Sequence, residues 1–142
     1  DKSEINIDHM YQYVSIAAPY LELIEEYTLK ELFHFHHQFK PFMKGSSFKE
    51  MAAEVQLKNA FNKEIRYYSS GMKQRAKLAQ AFFSDTPILL LDEPCTNLDK
   101  EGVQLYQRLL SEQVKTRLII ISSNSPEEYI DSDEQIHITD YK

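Results

Sequence analysis

The chain has 142 residues, 42% of them hydrophobic and 27% charged, a balance that suits one globular unit with a modest core. A net charge of -6 and a pI near 5.4 leave no surplus of Lys and Arg for a phosphate backbone, which argues against a nucleic-acid partner. Apolar runs fall far short of the roughly 20 residues that span a bilayer, and the single cysteine, Cys95, excludes an intrachain disulfide and suits a reducing, cytosolic setting.

Tyr11 to Ala18 is rich in β-branched and aromatic residues and runs into Pro19, which predicts a strand ending in a loop. Thr28 is a natural N-cap for a helix over 29–39, where Leu29, Leu32, Phe33, His36 and Phe39 recur at helical spacing until Pro41 stops the pattern. Ser47-Phe48-Lys49-Glu50 reads as a capping box, in which hydroxyl and carboxylate each satisfy a free backbone donor, opening a helix to about Val55. A short helix over 57–62 follows, and Ser69-Ser70-Gly71 opens a long helical run through Phe83, so that 20–83 reads as almost wholly helical.

The pattern changes at Ile88 to Leu91, a short continuous apolar run expected of a parallel strand buried on both faces, which ends in Asp92-Glu93. A helix over 100–113 leads to a second such strand over 117–122, and strand, helix, strand at this spacing is a βαβ unit of an α/β protein. Ser125-Pro126-Glu127-Glu128 has the N-cap, the first-turn proline and the acidic first turn of a further helix, and Gln135 to Ile138 is a last candidate strand.

Three segments carry chemistry. Ile88 to Asp92 with Glu93, four apolar residues followed by Asp-Glu, looks like a Walker B motif, in which a strand delivers a carboxylate to the carboxyl edge of a sheet. Taken alone, an acidic pair that merely ends a strand accounts for it equally well. Upstream, Tyr68-Ser69-Ser70-Gly71-Met72-Lys73-Gln74 resembles the signature Leu-Ser-Gly-Gly-Gln, with Ser69 and Gly71 at its key positions. A helix beginning there turns free N–H groups and the positive end of its dipole outward, suited to a terminal phosphate. The rival is an ordinary serine-capped helix. Asn97-Leu98-Asp99 then looks like a D-loop.

Signature, Walker B and D-loop in this order resemble the ABC ATPase superfamily over nearly the whole chain. The resemblance implies the C-terminal part of a P-loop NTPase-like fold: a strand and degenerate Q-loop over 1–18, an all-helical signature subdomain over 19–84, and a RecA-like lobe over 85–142. It implies Mg2+ on Asp92, Glu93 as the catalytic carboxylate, the ATP of the opposite subunit on Ser69, Ser70 and Gly71, and Asp99 registering one subunit against the other. It further implies a head-to-tail homodimer, or a paralogous ATPase subunit as partner, docked on transmembrane permease subunits at the cytoplasmic face of the cell membrane.

The family's phosphate loop, Gly-x-x-x-x-Gly-Lys-Ser/Thr, is absent, since none of Gly45, Gly71 and Gly102 leads into such a sequence. The expectation is a fragment that lost this loop by truncation and does not by itself turn over ATP. Ala17 or Ala18 stands where the family has a glutamine, and Asn124 stands at the switch position where it has a histidine; asparagine donates a hydrogen bond but carries no charge. Two alternatives therefore stay open: a soluble, non-transport ABC ATPase, and a regulatory subunit that binds nucleotide without hydrolysing it. Ala17 to Ser69 is too short for the coiled coil of the DNA-repair and chromosome ATPases. His34, His36 and His37, set among phenylalanines without a carboxylate in ligand spacing, read as a half-buried helix face rather than a metal site, Cys95 reads as packing, and Tyr11, Tyr13, Tyr20 and Tyr27 read as cover for the sheet edge and the helices.

Overall fold

The structure, a computed structural model, describes residues 6–130 and 132–141; the first five residues of the segment 1–18, with Asp131 and Lys142, lie outside the described residues. Three parallel strands form one sheet in the order β1 (Val14–Ala17), β2 (Ile88–Asp92), β3 (Leu118–Ser122). Val14 lies opposite Ile88, and Asp92 opposite Ser122, so the carboxyl ends of all three strands share one edge. Parallel neighbours need long crossovers. Three helices, α1 (Leu29–Phe39), α2 (Phe48–Glu54) and α3 (Ser70–Phe83), lie between β1 and β2, and α4 (Lys100–Gln113) lies between β2 and β3.

The helices start where capping chemistry sets them. Thr28 Oγ1 accepts the Glu31 N–H at 3.2 Å while Glu31 accepts the Thr28 N–H at 2.8 Å, and Ser47 and Glu50 repeat this reciprocal pair at α2. Ser69 caps α3 through Met72 N–H at 3.2 Å, and Asp99 caps α4 through Gly102 N–H at 2.8 Å. Their apolar stripes meet the sheet in one continuous cluster that includes Phe33, Leu78, Phe82, Leu89, Leu91 and Tyr106.

Several sequence expectations are corrected. Tyr11 to Tyr13 are not strand: Ile7–Gln12 is a 3-10 helix capped by Asn6, and β1 begins only at Val14. The first bond of the ladder is Ile88 N–H to the Tyr13 carbonyl at 3.1 Å; the next donor back on that side, the Thr86 N–H, is turned to the Ser84 carbonyl at 3.0 Å, so no strand partner remains for Tyr11. Gln135 to Ile138 forms no strand, for no neighbouring edge pairs with it, and Ile138–Tyr141 is a 3-10 helix. The helices anticipated over 57–62 and from Ser125 shrink to three-residue 3-10 turns, Lys58–Ala60 and Pro126–Glu128, and 20–27 is turns rather than helix.

Within these residues the helices cover one face of the sheet. Leu89 and Leu91 are buried under the helices, but Ile16, Leu118 and Ile120 on the opposite face are 41%, 57% and 52% exposed. Among the described residues no helix is long and apolar enough to cross a membrane.

The histidine group is packing, as its sequence setting implies. His36 lies flat on Phe42, ring centroids 4.9 Å apart, and its Nε2 bonds Ser84 Oγ at 2.8 Å while Nδ1 takes the Gln80 amide at 3.2 Å. Ser84 Oγ donates onward to the Gln80 carbonyl, so the network leaves His36 neutral with its proton on Nε2. Burial, with Lys40 and His37 adding smaller repulsions, pushes its pKa down to about 4. A histidine that stays neutral in the fold and charges when unfolded adds stability that is complete above the unfolded value near 6.5 and is lost as pH falls toward 4. Each pH unit of that window costs up to about 1.4 kcal/mol. The drop in Tm between pH 7 and pH 5 is therefore expected to be larger for wild type than for His36→Gln; parallel Tm curves would mean that the ring titrates freely.

Candidate functional site

The carboxyl edge of the sheet gathers the polar residues of interest. β2 ends at half-buried Asp92, and Glu93 follows with φ of 42°, in the left-handed region that a non-glycine side chain seldom enters. The fold holds it there from both sides: the Glu93 N–H donates to the Ser122 carbonyl at 2.9 Å, extending the β3 ladder, and the Thr96 N–H closes a turn onto the Glu93 carbonyl at 3.1 Å. The strand thus turns sharply and leaves the Glu93 side chain at the open edge.

Asn124, just beyond β3, meets that side chain. Its backbone N–H and its amide Nδ2 both donate to Glu93 Oε1, at 3.3 and 3.4 Å. Two residues that the chain separates widely, and that sequence reasoning assigned by separate motifs, are neighbours. Ala17 and Ala18, both fully buried, present only methyl groups at the end of β1, so no amide reaches the edge from there.

The N-terminus of α3 is fastened to the turns after β2. Gln74, 2% exposed, donates from Nε2 to the Pro94 carbonyl at 2.7 Å. A Cβ on Gly71 would stand 3.0 Å from the Asn97 carbonyl oxygen, so only glycine lets the helix approach the Asn97 turn, itself left-handed at φ 63°. Arg75 reaches Asp99 at 2.8 Å and Gln56 at 2.5 Å. Asp99 is held below the usual carboxylate range, first by the Gly102 N–H it caps and then by Arg75. Ser69 and Ser70 stay exposed at the helix start. Toward the segment after β2, α3 reaches Pro94, Asn97 and Asp99, not the Glu93 carboxylate.

Asp92 offers one half-buried carboxylate at the strand end. No group of three or more His, Cys, Asp or Glu gathers as a metal cage among the described residues. A single strand-end carboxylate fits Mg2+, which keeps several waters and takes the rest of its ligands from phosphate. Cys95 is no nucleophile: it is 9% exposed, and burial, with the Glu128 and Glu127 charges adding, pushes its thiol up to about 12.

Two residues of the site escape sequence reading. Gln74 is one, although a polar residue in line with Leu78 and Phe82 on the buried stripe of α3 was a visible signal. Glu128 is the other. The sequence places it only in the acidic first turn of a helix, whereas the residue is 2% exposed and its carboxylate accepts the Cys95 N–H at 2.6 Å. No spacing rule announced it.

Comparison with known proteins follows the same lines. Residues 2–96 match the family described as ABC transporter. The chain is 30% identical over 118 residues to the uncharacterized ABC transporter ATP-binding protein YybJ of Bacillus subtilis (strain 168), covering 82% of this chain and 54% of that protein. It is 30% identical over 126 residues to the Nod factor export ATP-binding protein I of Burkholderia orbicola (strain AU 1054), covering 84% of this chain and 41% of the relative. The chain thus spans about half the length of these relatives. Among solved structures, a bacterial Atm1-family ABC exporter with ATP bound superposes with a TM-score of 0.71 at 20% identity, over 91% of this chain and 24% of that one. An ATP-binding subunit of an ABC transporter superposes with a TM-score of 0.67 at 22% identity, over 82% of this chain and 51% of that one.

Proposed function

The chain belongs to the ABC transporter family, and from that premise we propose that it is the signature- and Walker B-bearing part of an ATP-hydrolysing subunit that drives transport across a membrane. The observation that carries this reading is the Asp92-Glu93 pair at the end of the central strand with Asn124 against the Glu93 carboxylate.

In this reading 1–18 and 85–142 belong to the nucleotide-binding lobe and 19–84 is the signature subdomain. Asp92 would hold Mg2+ through its hydration shell; when bound, the ion neutralises charge on the phosphates. Glu93 orients the attacking water and takes its proton, and Asn124 faces the carboxylate with two long, weak donors. The exposed N-terminus of α3, with Ser69, Ser70 and Gly71, offers N–H donors and a positive dipole end to the ATP of an opposite subunit. Asp99, braced by Arg75, sits beside that helix where a head-to-tail partner would register. The partner is a second copy or a paralogous ATPase. The helical subdomain and the loop after Ala18 carry closure and opening to a permease subunit at the cytoplasmic face of the membrane.

The absence of an amide at Ala17 and Ala18 and of a charged switch residue at 124 favours one second reading, a subunit that binds nucleotide to regulate a partner. Mg-ATP turnover by the full-length protein, measured beside nucleotide binding, separates them. Turnover is expected. Binding without turnover would move the regulatory reading ahead, and neither would remove both.

A further inference from the structure

Glu128 is a carboxylate in a place where charge is costly. It is 2% exposed, and none of the ion pairs among the described residues includes it. An unpaired buried charge is disfavoured by several kcal/mol or more unless hydrogen bonds hold it, and here both oxygens are held. Oε1 accepts the Cys95 N–H at 2.6 Å, and Oε2 accepts the Ser123 hydroxyl. Ser123 Oγ in turn accepts the Ser125 N–H at 2.8 Å, which folds the loop around Asn124.

These partners are the two loops of the candidate site. Cys95 lies in the turn that carries Glu93, and Ser123 is the residue before Asn124. The Glu93–Asn124 bonds themselves are long, at 3.3 and 3.4 Å, so they add little to the Glu93 N–H bond to the Ser122 carbonyl at 2.9 Å, which ties the two segments where they leave the sheet and not further along the loops. Anchoring of the 3-10 turn to α4 is supplied separately, by Tyr106 Oη to the Glu128 carbonyl at 2.6 Å and Gln107 Nε2 to the Glu127 carbonyl at 3.0 Å. The Glu128 side chain is not needed for that packing. Its charge strengthens two bonds that both end at the site.

We infer that Glu128 is a positioning residue, a buried clamp that fixes the turn bearing Glu93 against the loop bearing Asn124, and that the catalytic carboxylate depends on it for its aim. The inference rests on the hydrolytic reading above for its effect on turnover, but the clamp itself is a property of the fold and is measurable without nucleotide.

The experiment compares the full-length protein with its Glu128→Ala, Glu128→Gln and Glu127→Ala variants, by hydrogen exchange without nucleotide and by Mg-ATP turnover and nucleotide binding. In Glu128→Ala, exchange is expected to rise together in peptides covering Cys95 and 123–125 while β2 and α3 stay protected. The kcat should fall on the order of 10²-fold, as a misplaced reacting group would cause, at unchanged nucleotide affinity. Glu128→Gln keeps an acceptor for the Cys95 N–H and should recover part of the rate, and Glu127→Ala should behave as wild type. Unchanged exchange at both loops overturns the clamp, as does full kcat in Glu128→Ala, and so does a loss that appears only as weaker nucleotide binding or as exchange raised through the whole chain in both Glu128 variants. If wild type binds nucleotide without turnover, the hydrolytic reading falls and the exchange arm alone decides for or against the clamp.

Discussion

Glu93→Gln is expected to stop Mg-ATP turnover in the full-length protein while nucleotide binding stays within about twofold of wild type. The substitution keeps the shape of the side chain and keeps one oxygen to accept the Asn124 N–H and Nδ2 donors, so the turn at φ 42° and its bonds to Ser122 and Thr96 remain. What it removes is the carboxylate that the proposed function casts as the group taking a proton from water. A positioned general base contributes about 10²- to 10⁴-fold, and the loss should lie in kcat with the dissociation constant unmoved. Phosphate release read against nucleotide binding makes the measurement. Turnover equal to wild type would take the base role from Glu93 and turn attention to other groups at the sheet edge.

The largest expected loss of stability is at Phe82→Ala. Phe82 is fully buried in the last turn of α3, its ring edge-on to Tyr106 of α4 at 6.0 Å. Its carbonyl is the meeting point of the helices and β3, taking Gln113 Nε2 at 3.0 Å and Arg117 Nη2 at 2.8 Å. Removing the ring forfeits its burial and leaves a cavity between elements that the same polar network prevents from collapsing. Aromatic truncations in cores cost about 3–5 kcal/mol, equivalent to a fall in Tm on the order of 10 °C for a domain of this size. Urea unfolding checks it through the midpoint at unchanged slope. A loss below about 1 kcal/mol would mean that the neighbours close the gap and that Phe82 is not central to the core.

Both predictions draw on residues whose identity was plain in the sequence and whose surroundings were not. Thr28, Ser47, Ser69 and Asp99 cap helices through bonds to residues three positions on, and interactions that local are written in the sequence itself. The apolar run closed by Asp92-Glu93, the helix opening at Ser69, and their order along the chain were legible for the same reason, and with them the α/β fold and the family. Strands depend on partners far away in the chain, so the tertiary structure alone decided that Tyr11 to Tyr13 turn away, where the Thr86 N–H is taken by the Ser84 carbonyl, and that Gln135 to Ile138 join no strand of the sheet. It alone decided which sheet face these helices cover, that of Leu89 and Leu91 rather than that of Ile16 and Ile120, since an apolar run does not say which side its helices take. And it alone brought Asn124 to Glu93 and turned Glu128 inward, because a side chain's burial and partners follow from which surfaces meet, and nothing in the spacing of residues 93, 124 and 128 encodes that meeting.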